Sequence, residues 1–178
     1  AYSILANDVF APGALPAKLL DDCLNVLEEY TNNYLRIFGQ DIEISFVYKR
    51  ARGEQQSIDL KPYAGGYERR IETFSGGEKT LIGFAIRLAI GKLLTEIYSR
   101  EQRPRFLIID EGFGPLDETL RIEVAKALNN LKEDGEYDQI IIISHQQELK
   151  EEPIFQTIIK IAKDRRNLSH VEEISKTS

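Results

Sequence analysis

Two short apolar runs, separated by a segment with a helical pattern, constrain the fold of this chain more than any other feature of its sequence. Residues 106–109 and 140–143 are apolar at every position, so a strand formed by either run has no polar face. The segment between them, residues 118–132, has the apolar spacing of a helix. Strands with two apolar faces that are joined through a helix indicate a parallel βαβ unit. The sequence therefore predicts an α/β fold with a parallel βαβ core.

A helix and an antiparallel hairpin are predicted before this unit. Residues 18–38 repeat apolar side chains near the helical period, with acidic residues on the other face. Residues 41–48 alternate between apolar and polar, as a strand with one buried face does. A short strand over residues 58–60 completes the hairpin, and Gly65-Gly66 forms the loop after it.

Two further elements complete the predicted order. Residues 77–98 are apolar on nearly every helical face, which predicts a buried helix. A weak alternation in the tail predicts a terminal hairpin that turns at residues 164–167.

Composition narrows the class of protein. The chain has 178 residues, of which 42% are hydrophobic and 29% charged, as in one soluble globular unit, and no apolar stretch approaches the ~20 residues of a membrane helix. The single cysteine, Cys23, falls in a helical pattern, which predicts core packing in a reducing compartment. The net charge of −6 argues against a generally basic surface for nucleic acid, so any DNA contact would be local.

The motif Ser75-Gly76-Gly77-Glu78-Lys79 stands directly before the long apolar helix. Its two glycines let the backbone approach a ligand closely, and a helix start offers unpaired N–H groups and the positive end of the helix dipole. Ser75 can cap the helix or donate a hydrogen bond to an anion. The motif therefore fits a phosphate site, and the alternative is a plain turn that caps a core helix.

Polar residues follow both apolar strands of the βαβ unit. Asp110 and Glu111 come directly after the first strand, at the carboxyl edge where ligands of open α/β sheets bind. In phosphoryl transfer an acid at this place holds Mg²⁺ or its water, so Asp110 is the candidate for the metal shell and Glu111 for the catalytic base. His145 follows the second strand, where an imidazole can hydrogen-bond a phosphate or the attacking water. Asp117 is expected to cap the intervening helix. The alternative interpretation is that the first strand simply ends in solvated acids and that His145 has a structural role.

The order of these motifs resembles the C-terminal half of an ATP-binding cassette. Ser-Gly-Gly-Glu, an apolar strand with Asp-Glu, Leu-Asp, and an apolar strand with Ser-His stand where that family has its signature, Walker B, D-loop and switch histidine. The stretches 74–79 and 110–117 are more specifically similar to the SMC and Rad/SbcC double-strand-break repair branch. Phe74 replaces the leucine usual there, a conservative departure.

This resemblance implies one C-terminal lobe over residues 1–178. It assigns a coiled-coil exit and helix to residues 1–40, and a hairpin and loop to residues 41–74. Residues 75–150 then hold the signature, Walker B, D-loop and switch histidine, and residues 151–178 the terminal hairpin.

The resemblance also implies how the residues act on ATP and Mg²⁺. Two heads close head-to-head on two ATP molecules, and residues 75–79 contact the γ-phosphate that the opposite head holds. Asp110, through water on Mg²⁺, acts with Glu111 and His145 on the nucleotide of its own head. Asp117 belongs to the D-loop.

The phosphate-binding loop G-x-x-x-x-G-K-[ST] occurs nowhere in the sequence. In the resembled family that loop lies in an N-terminal lobe beyond a long coiled coil. The resemblance therefore implies an ATPase that works only when completed by the Walker A lobe of the same protein, covalently linked or as a second chain. It further implies a second head in a homodimer, a Mre/SbcD-type nuclease and DNA as partners, no membrane, and a place at the nucleoid in the cytoplasm, or in a eukaryotic nucleus.

Three alternatives stay open. A chromosome-organising SMC head, with a kleisin partner, uses the same chemistry. A transport cassette is disfavoured by Glu78 and by Gly112-Phe113-Gly114, since transport cassettes more often have Gln after the glycines and Pro after the Walker B acids. A non-catalytic cassette-like binding lobe is disfavoured by the presence of Glu111 and His145.

Overall fold

The chain folds as two compact units, Ala1–Pro104 and Arg105–Ser178. The computed structural model describes residues 14–49, 57–97, 105–146, 148–164 and 167–175. The single lobe expected over residues 1–178 stays a prediction, because the contacts define each unit by itself. The coiled-coil exit expected at the start falls partly on residues 1–13, which lie outside the described residues.

The first unit contains two long helices and a small antiparallel sheet. Its elements are α1 (Ala14–Ile37), β1 (Ile42–Lys49), β2 (Ser57–Ala64), β3 (Tyr67–Glu68) and α2 (Gly76–Ile97). The strands β1 and β2 pair antiparallel over eight residues each, which confirms the predicted hairpin and extends its second strand. Gly65 and Gly66 form a tight turn between β2 and β3, with φ of 61° and 79°. A two-residue hairpin turn of type I′ needs positive φ at both positions, and glycine adopts it without steric cost.

The helix α1 holds both the sheet and α2. The Asn32 side chain exchanges two hydrogen bonds with the backbone of Ile44 on β1, at 2.7 and 3.0 Å. The Tyr30 hydroxyl donates to the Glu96 carboxylate of α2 at 2.6–2.7 Å, and this bond raises the pKa of Tyr30 to about 12. The rings of Phe38 and Phe84 stack with centroids 5.5 Å apart. Polar contacts and aromatic packing therefore fix α2 against α1.

Two expectations for this unit are wrong. The helix α2 buries one face only, through Leu81, Ile82, Ala85, Leu88 and Ala89. Its opposite side leaves Ile90, Leu94 and Ile97 exposed by 42%, 47% and 61%, because the packing of this unit covers a single face. Cys23 is exposed rather than packed in the core, since its neighbour Leu24 occupies the buried stripe of α1.

The second unit contains the predicted βαβ core and the terminal hairpin. Its elements are β4 (Phe106–Asp110), α3 (Glu118–Glu133), β5 (Gln139–Ile143), β6 (Thr157–Lys163) and β7 (Ser169–Ser175). The strands β4 and β5 pair in parallel, from Phe106↔Gln139 to Asp110↔Ile143. The strands β6 and β7 pair antiparallel. Both predictions are thereby confirmed, and the carboxyl ends of β4 and β5 lie side by side.

One structural finding bears on membranes. Within the residues that the structure describes, no helix combines the length and the apolarity that a bilayer crossing needs.

Candidate functional site

The helix α2 begins with a capping box built from Ser75 and Glu78. The Ser75 hydroxyl oxygen accepts from the Glu78 N–H at 3.1 Å, and the Glu78 carboxylate accepts from the Ser75 N–H at 2.7 Å. This reciprocal pair satisfies two N–H groups at the helix start. The bond from the Ser75 N–H, with a smaller effect of the Ser75 side chain, lowers the pKa of Glu78. The helix-cap role of Ser75 is therefore confirmed.

The same helix start keeps room for an anion. The part of the chain that the structure describes offers no hydrogen-bond acceptor to the N–H groups of Gly76 and Gly77. Open space surrounds Gly76, where an added Cβ would meet no atom within 4 Å. Ser75 uses an acceptor position for the cap, so its O–H remains able to donate. The Lys79 side chain contacts the segment before the motif, where its Nζ atom donates to the Glu72 carbonyl oxygen at 3.1 Å. The cap and a phosphate contact are thus compatible at this motif.

The end of β4 brings Glu111 and His145 together. The Glu111 N–H donates to the Ile143 carbonyl oxygen at 2.9 Å, which extends the parallel pairing by one residue beyond Asp110. The His145 Nδ1 atom then lies 2.8 Å from the Glu111 Oε2 atom. Their side chains are 74% and 48% exposed, so a ligand can reach both. The two residues predicted as catalytic therefore form one cluster at the carboxyl edge of the sheet.

A sharp turn after Asp110 sets the direction of the Glu111 side chain. Glu111 has φ of 50°, a left-handed conformation that costs a residue with a Cβ about 1–3 kcal/mol. Gly112 follows it, and a Cβ there would lie 2.6 Å from the Ile109 Cγ2 atom. Only glycine fits this position without a shift of its neighbours, which explains the Asp-Glu-Gly order.

Asp110 and Asp117 lie at the two ends of the connection from β4 to α3. Asp110 ends β4 and is exposed at the sheet edge. Among the described residues no group of three or more His, Cys, Asp or Glu side chains could hold a metal ion. Mg²⁺ commonly binds through one or two carboxylates while phosphates and waters complete its shell, so Asp110 fits this ion. The Asp117 Oδ1 atom accepts from the Leu120 N–H at 2.8 Å, which confirms the predicted cap of α3.

The sequence interpretation missed Arg121 and Gln146. Arg121 is only 7% exposed, although its side chain is charged. It lies on α3 among the buried Val124, Ala125 and Leu128. Its guanidinium contacts the Gln146 side chain, and that side chain contacts His145. The available signal was a charged residue on the apolar face of a predicted helix, at the spacing of its buried positions.

Solved structures share this fold. A structure titled "Structural biochemistry of ATP-driven dimerization and DNA stimulated activation of SMC ATPases" superposes with a TM-score of 0.68, at 19% identity and with 89% of each chain covered. The structure of an Smc head bound to the C-winged helix domain of ScpA gives 0.61, at 19% identity over 85% of this chain and 43% of that one. At such identity the likeness shows the fold, which is that of an SMC-type ATPase head.

Sequence relatives give the family. The family model described as "SbcC/RAD50-like, Walker B motif" matches residues 46–130. The DNA double-strand break repair Rad50 ATPase of Thermoplasma acidophilum is 32% identical over 144 residues, which are 80% of this chain and 15% of that protein. The SbcC component of the SbcCD nuclease of Bacillus subtilis is 38% identical over 87 residues, 48% of this chain and 7% of that protein. The chain belongs to the SbcC/Rad50-type ATPases and represents a C-terminal lobe of their head, with the fold of an SMC-type head. It spans a small fraction of the length of these relatives.

Proposed function

We propose that this chain is the ATP-binding and hydrolysing C-terminal half of the head of a DNA double-strand-break repair ATPase. The supporting observation is the 2.8 Å contact between Glu111 and His145 at the carboxyl end of the β4–β5 pair. Repair is favoured over chromosome organisation because the relatives of about 30% identity include proteins named for double-strand break repair. The SMC heads resemble the chain in fold at about 20% identity.

Each residue of the cluster has a distinct role in this proposal. The Glu111 carboxylate accepts the proton of the attacking water, and His145, whose Nδ1 atom lies 2.8 Å from that carboxylate, orients it toward the water. Asp110 holds Mg²⁺ through a water, and this ion would neutralise charge on the phosphates when bound.

The signature motif acts on a different nucleotide. The Ser75 hydroxyl and the N–H groups of Gly76 and Gly77 contact the γ-phosphate that a second head holds, so ATP joins two heads. The Walker A lobe of the same protein supplies the phosphate loop that this chain lacks. Head closure in turn controls DNA binding and the activity of a partner nuclease. The proposed location is the nucleoid in the cytoplasm, or a nucleus.

Replacement of Glu111 by Gln tests the proposed base. The amide keeps the size and the position of the side chain but does not take up a proton, so we expect turnover of the assembled head to fall by ~10²–10⁴-fold. ATP affinity should stay within a factor of a few, and size-exclusion chromatography should show an accumulated ATP-bound dimer. Steady-state hydrolysis and calorimetry measure the two effects.

Two controls accompany this variant. Glu118→Gln removes an exposed acid from the first turn of α3 and should leave turnover unchanged. The chain without its Walker A lobe should neither bind ATP at low-micromolar concentration nor hydrolyse it. Glu111→Gln turnover within a factor of a few of the parent would exclude Glu111 as the base.

A further inference from the structure

Arg121 is a charged side chain enclosed by the second unit. Burial of a guanidinium is destabilising unless its N–H donors are paired. Its Nε atom donates to the Phe113 carbonyl oxygen at 3.3 Å, and its Nη2 atom donates to the Leu116 carbonyl oxygen at 2.6 Å. Both acceptors belong to residues 112–117, called here the D-loop turn. The buried fork therefore fixes the backbone of that turn.

The other side of the guanidinium faces the segment after β5. The Nη1 atom donates to the Gln146 Oε1 atom at 3.0 Å and forms an ion pair with Glu148. Four acceptors thus surround one guanidinium, two on the D-loop turn and two after His145. Arg121 joins these two segments, which are far apart along the chain.

These contacts assign a direction to the hydrogen bonds at His145. Because the Gln146 Oε1 atom accepts from Arg121, the Gln146 Nε2 group faces the His145 Nε2 atom, at 3.2 Å. The amide group donates, so the His145 Nε2 atom accepts and the ring proton lies on Nδ1. Nδ1–H then donates to the Glu111 carboxylate at 2.8 Å. A chain of directed hydrogen bonds runs from Arg121 through Gln146 and His145 to Glu111.

We propose that Arg121 is a positioning residue for hydrolysis, which couples the D-loop turn to the tautomer and orientation of His145 through Gln146. The inference rests on the proposed function, because its effect on hydrolysis requires that His145 belongs to the catalytic cluster. A movement of the D-loop turn shifts the carbonyl oxygens that hold Arg121, and Gln146 moves with the guanidinium. His145 then loses the donor at Nε2 that keeps its proton on Nδ1. Contact of another head with the D-loop turn is thereby transmitted to the catalytic cluster.

The test combines two variants with a matched control. Arg121→Lys keeps a cation for Glu148 but loses the fork that spans both segments. Gln146→Met keeps the length of the side chain and removes its amide. Lys126→Met is the control, since Lys126 lies on the same helix and pairs with Glu152 at 3.5 Å, after the same strand. The chain is labelled with ¹⁵N-histidine and combined with the unlabelled Walker A lobe, and the ring nitrogen shifts and turnover are measured.

The expected signature is specific to His145. The chain has two histidines, and His170→Gln identifies the signals of the other ring. The parent and Lys126→Met should show the Nδ1–H tautomer, whereas Arg121→Lys and Gln146→Met should each show a mixture of tautomers. Turnover of both variants should fall by ~10–100-fold, the effect of a misplaced catalytic group. The double variant should be no slower than the slower single variant, because both break one chain of contacts.

Several results would overturn the inference. An Nδ1–H tautomer that persists in Gln146→Met would show that Gln146 does not set the tautomer of His145. Multiplicative losses in the double variant would show that Arg121 acts independently of Gln146. If Arg121→Lys fails to fold, Gln146→Met alone decides, since its amide is only half-buried. The tautomer measured without nucleotide decides even if the head proves inactive, a result that would refute the proposed function alone.

Discussion

Ser75 is expected to serve two partners at once, and replacement by Asp separates them. Asp, Asn and Ser are about equally good N-caps, so a carboxylate at position 75 still accepts from the Glu78 N–H. We expect the free energy of unfolding of the assembled head to stay within about 1 kcal/mol of the parent. ATP affinity within a single head should also be unchanged, because the proposed contact of Ser75 is with the nucleotide of the other head.

Dimerisation should respond very differently. In the proposed dimer a carboxylate at position 75 would lie near the γ-phosphate of the opposite head. Two like charges ~4 Å apart repel by about 4 kcal/mol at an effective dielectric constant of 20. This repulsion weakens ATP-driven dimerisation by ~10³-fold for each of the two contacts in the dimer, since about 1.4 kcal/mol corresponds to a factor of ten. Turnover should fall with dimerisation.

Ser75→Asn is the matched control, because it caps the helix with the same shape and no charge. Its dimer affinity should fall by no more than ~10-fold for each of the two contacts, the loss of about one hydrogen bond at each. Sedimentation of the three proteins with ATP, in a Glu111→Gln background that prevents turnover, measures the difference. Equal dimer affinities for the Asp and Asn variants would refute the action of Ser75 on a phosphate of the second head. Ser75→Ala removes the cap as well and should cost ~0.5–2 kcal/mol of stability.

Two further predictions concern the geometry of the motifs. Gly112→Ala should destabilise the head by ~1–3 kcal/mol in urea unfolding, because its Cβ would lie 2.6 Å from the Ile109 Cγ2 atom. Gly114→Ala, which would make an ordinary contact at 3.8 Å, is the control, and an equal loss there would contradict the steric argument. The lowered pKa of Glu78 predicts that its contribution to stability is present above the unfolded value of 4.5 and is lost as the pH falls through the folded value. Glu78→Gln should remove that part of the acid dependence in unfolding experiments, and an unchanged dependence would assign it to other carboxylates.

The βαβ core and both hairpins could be predicted because their signals are local. Four consecutive apolar residues, or an alternation, indicate a strand and how many of its faces can be covered. The number of faces that are buried is less local: Phe106 and Ile108 of β4 are 56% and 54% exposed, so this strand has one uncovered face within the described residues. Burial of α2 was predicted wrongly for a related reason. Apolar residues all round a helix indicate that contacts are possible on every face, but Ile90 and Leu94 are covered only if a second partner packs there. The unit that holds α2 supplies a packing partner for one face of this helix only.

The site shows the same division between local and distant signals. Asp117 and Ser75 could be predicted as caps because each acts on an N–H three residues away. Arg121 could not be predicted, since two of its acceptors are backbone carbonyl oxygens, which any sequence offers. Its spacing on the apolar face of α3 was the one visible sign. Proximity of Glu111 to His145 followed from the parallel pairing of their strands, which places both carboxyl ends at one edge.

The structural and the functional interpretations of these motifs are not exclusive, because they use different atoms of the same side chains. Ser75 caps α2 with an oxygen lone pair and keeps its O–H for a phosphate. Asp117 caps α3 through Oδ1, so its Oδ2 atom can accept from a second donor, such as the proposed second head. Substitution by alanine removes both roles together, and a loss of activity then says nothing about which one mattered. Substitutions that keep the cap and change only the charge or the second atom measure the functional role alone. They are possible at both helices, because Ser, Asp and Asn cap a helix about equally well.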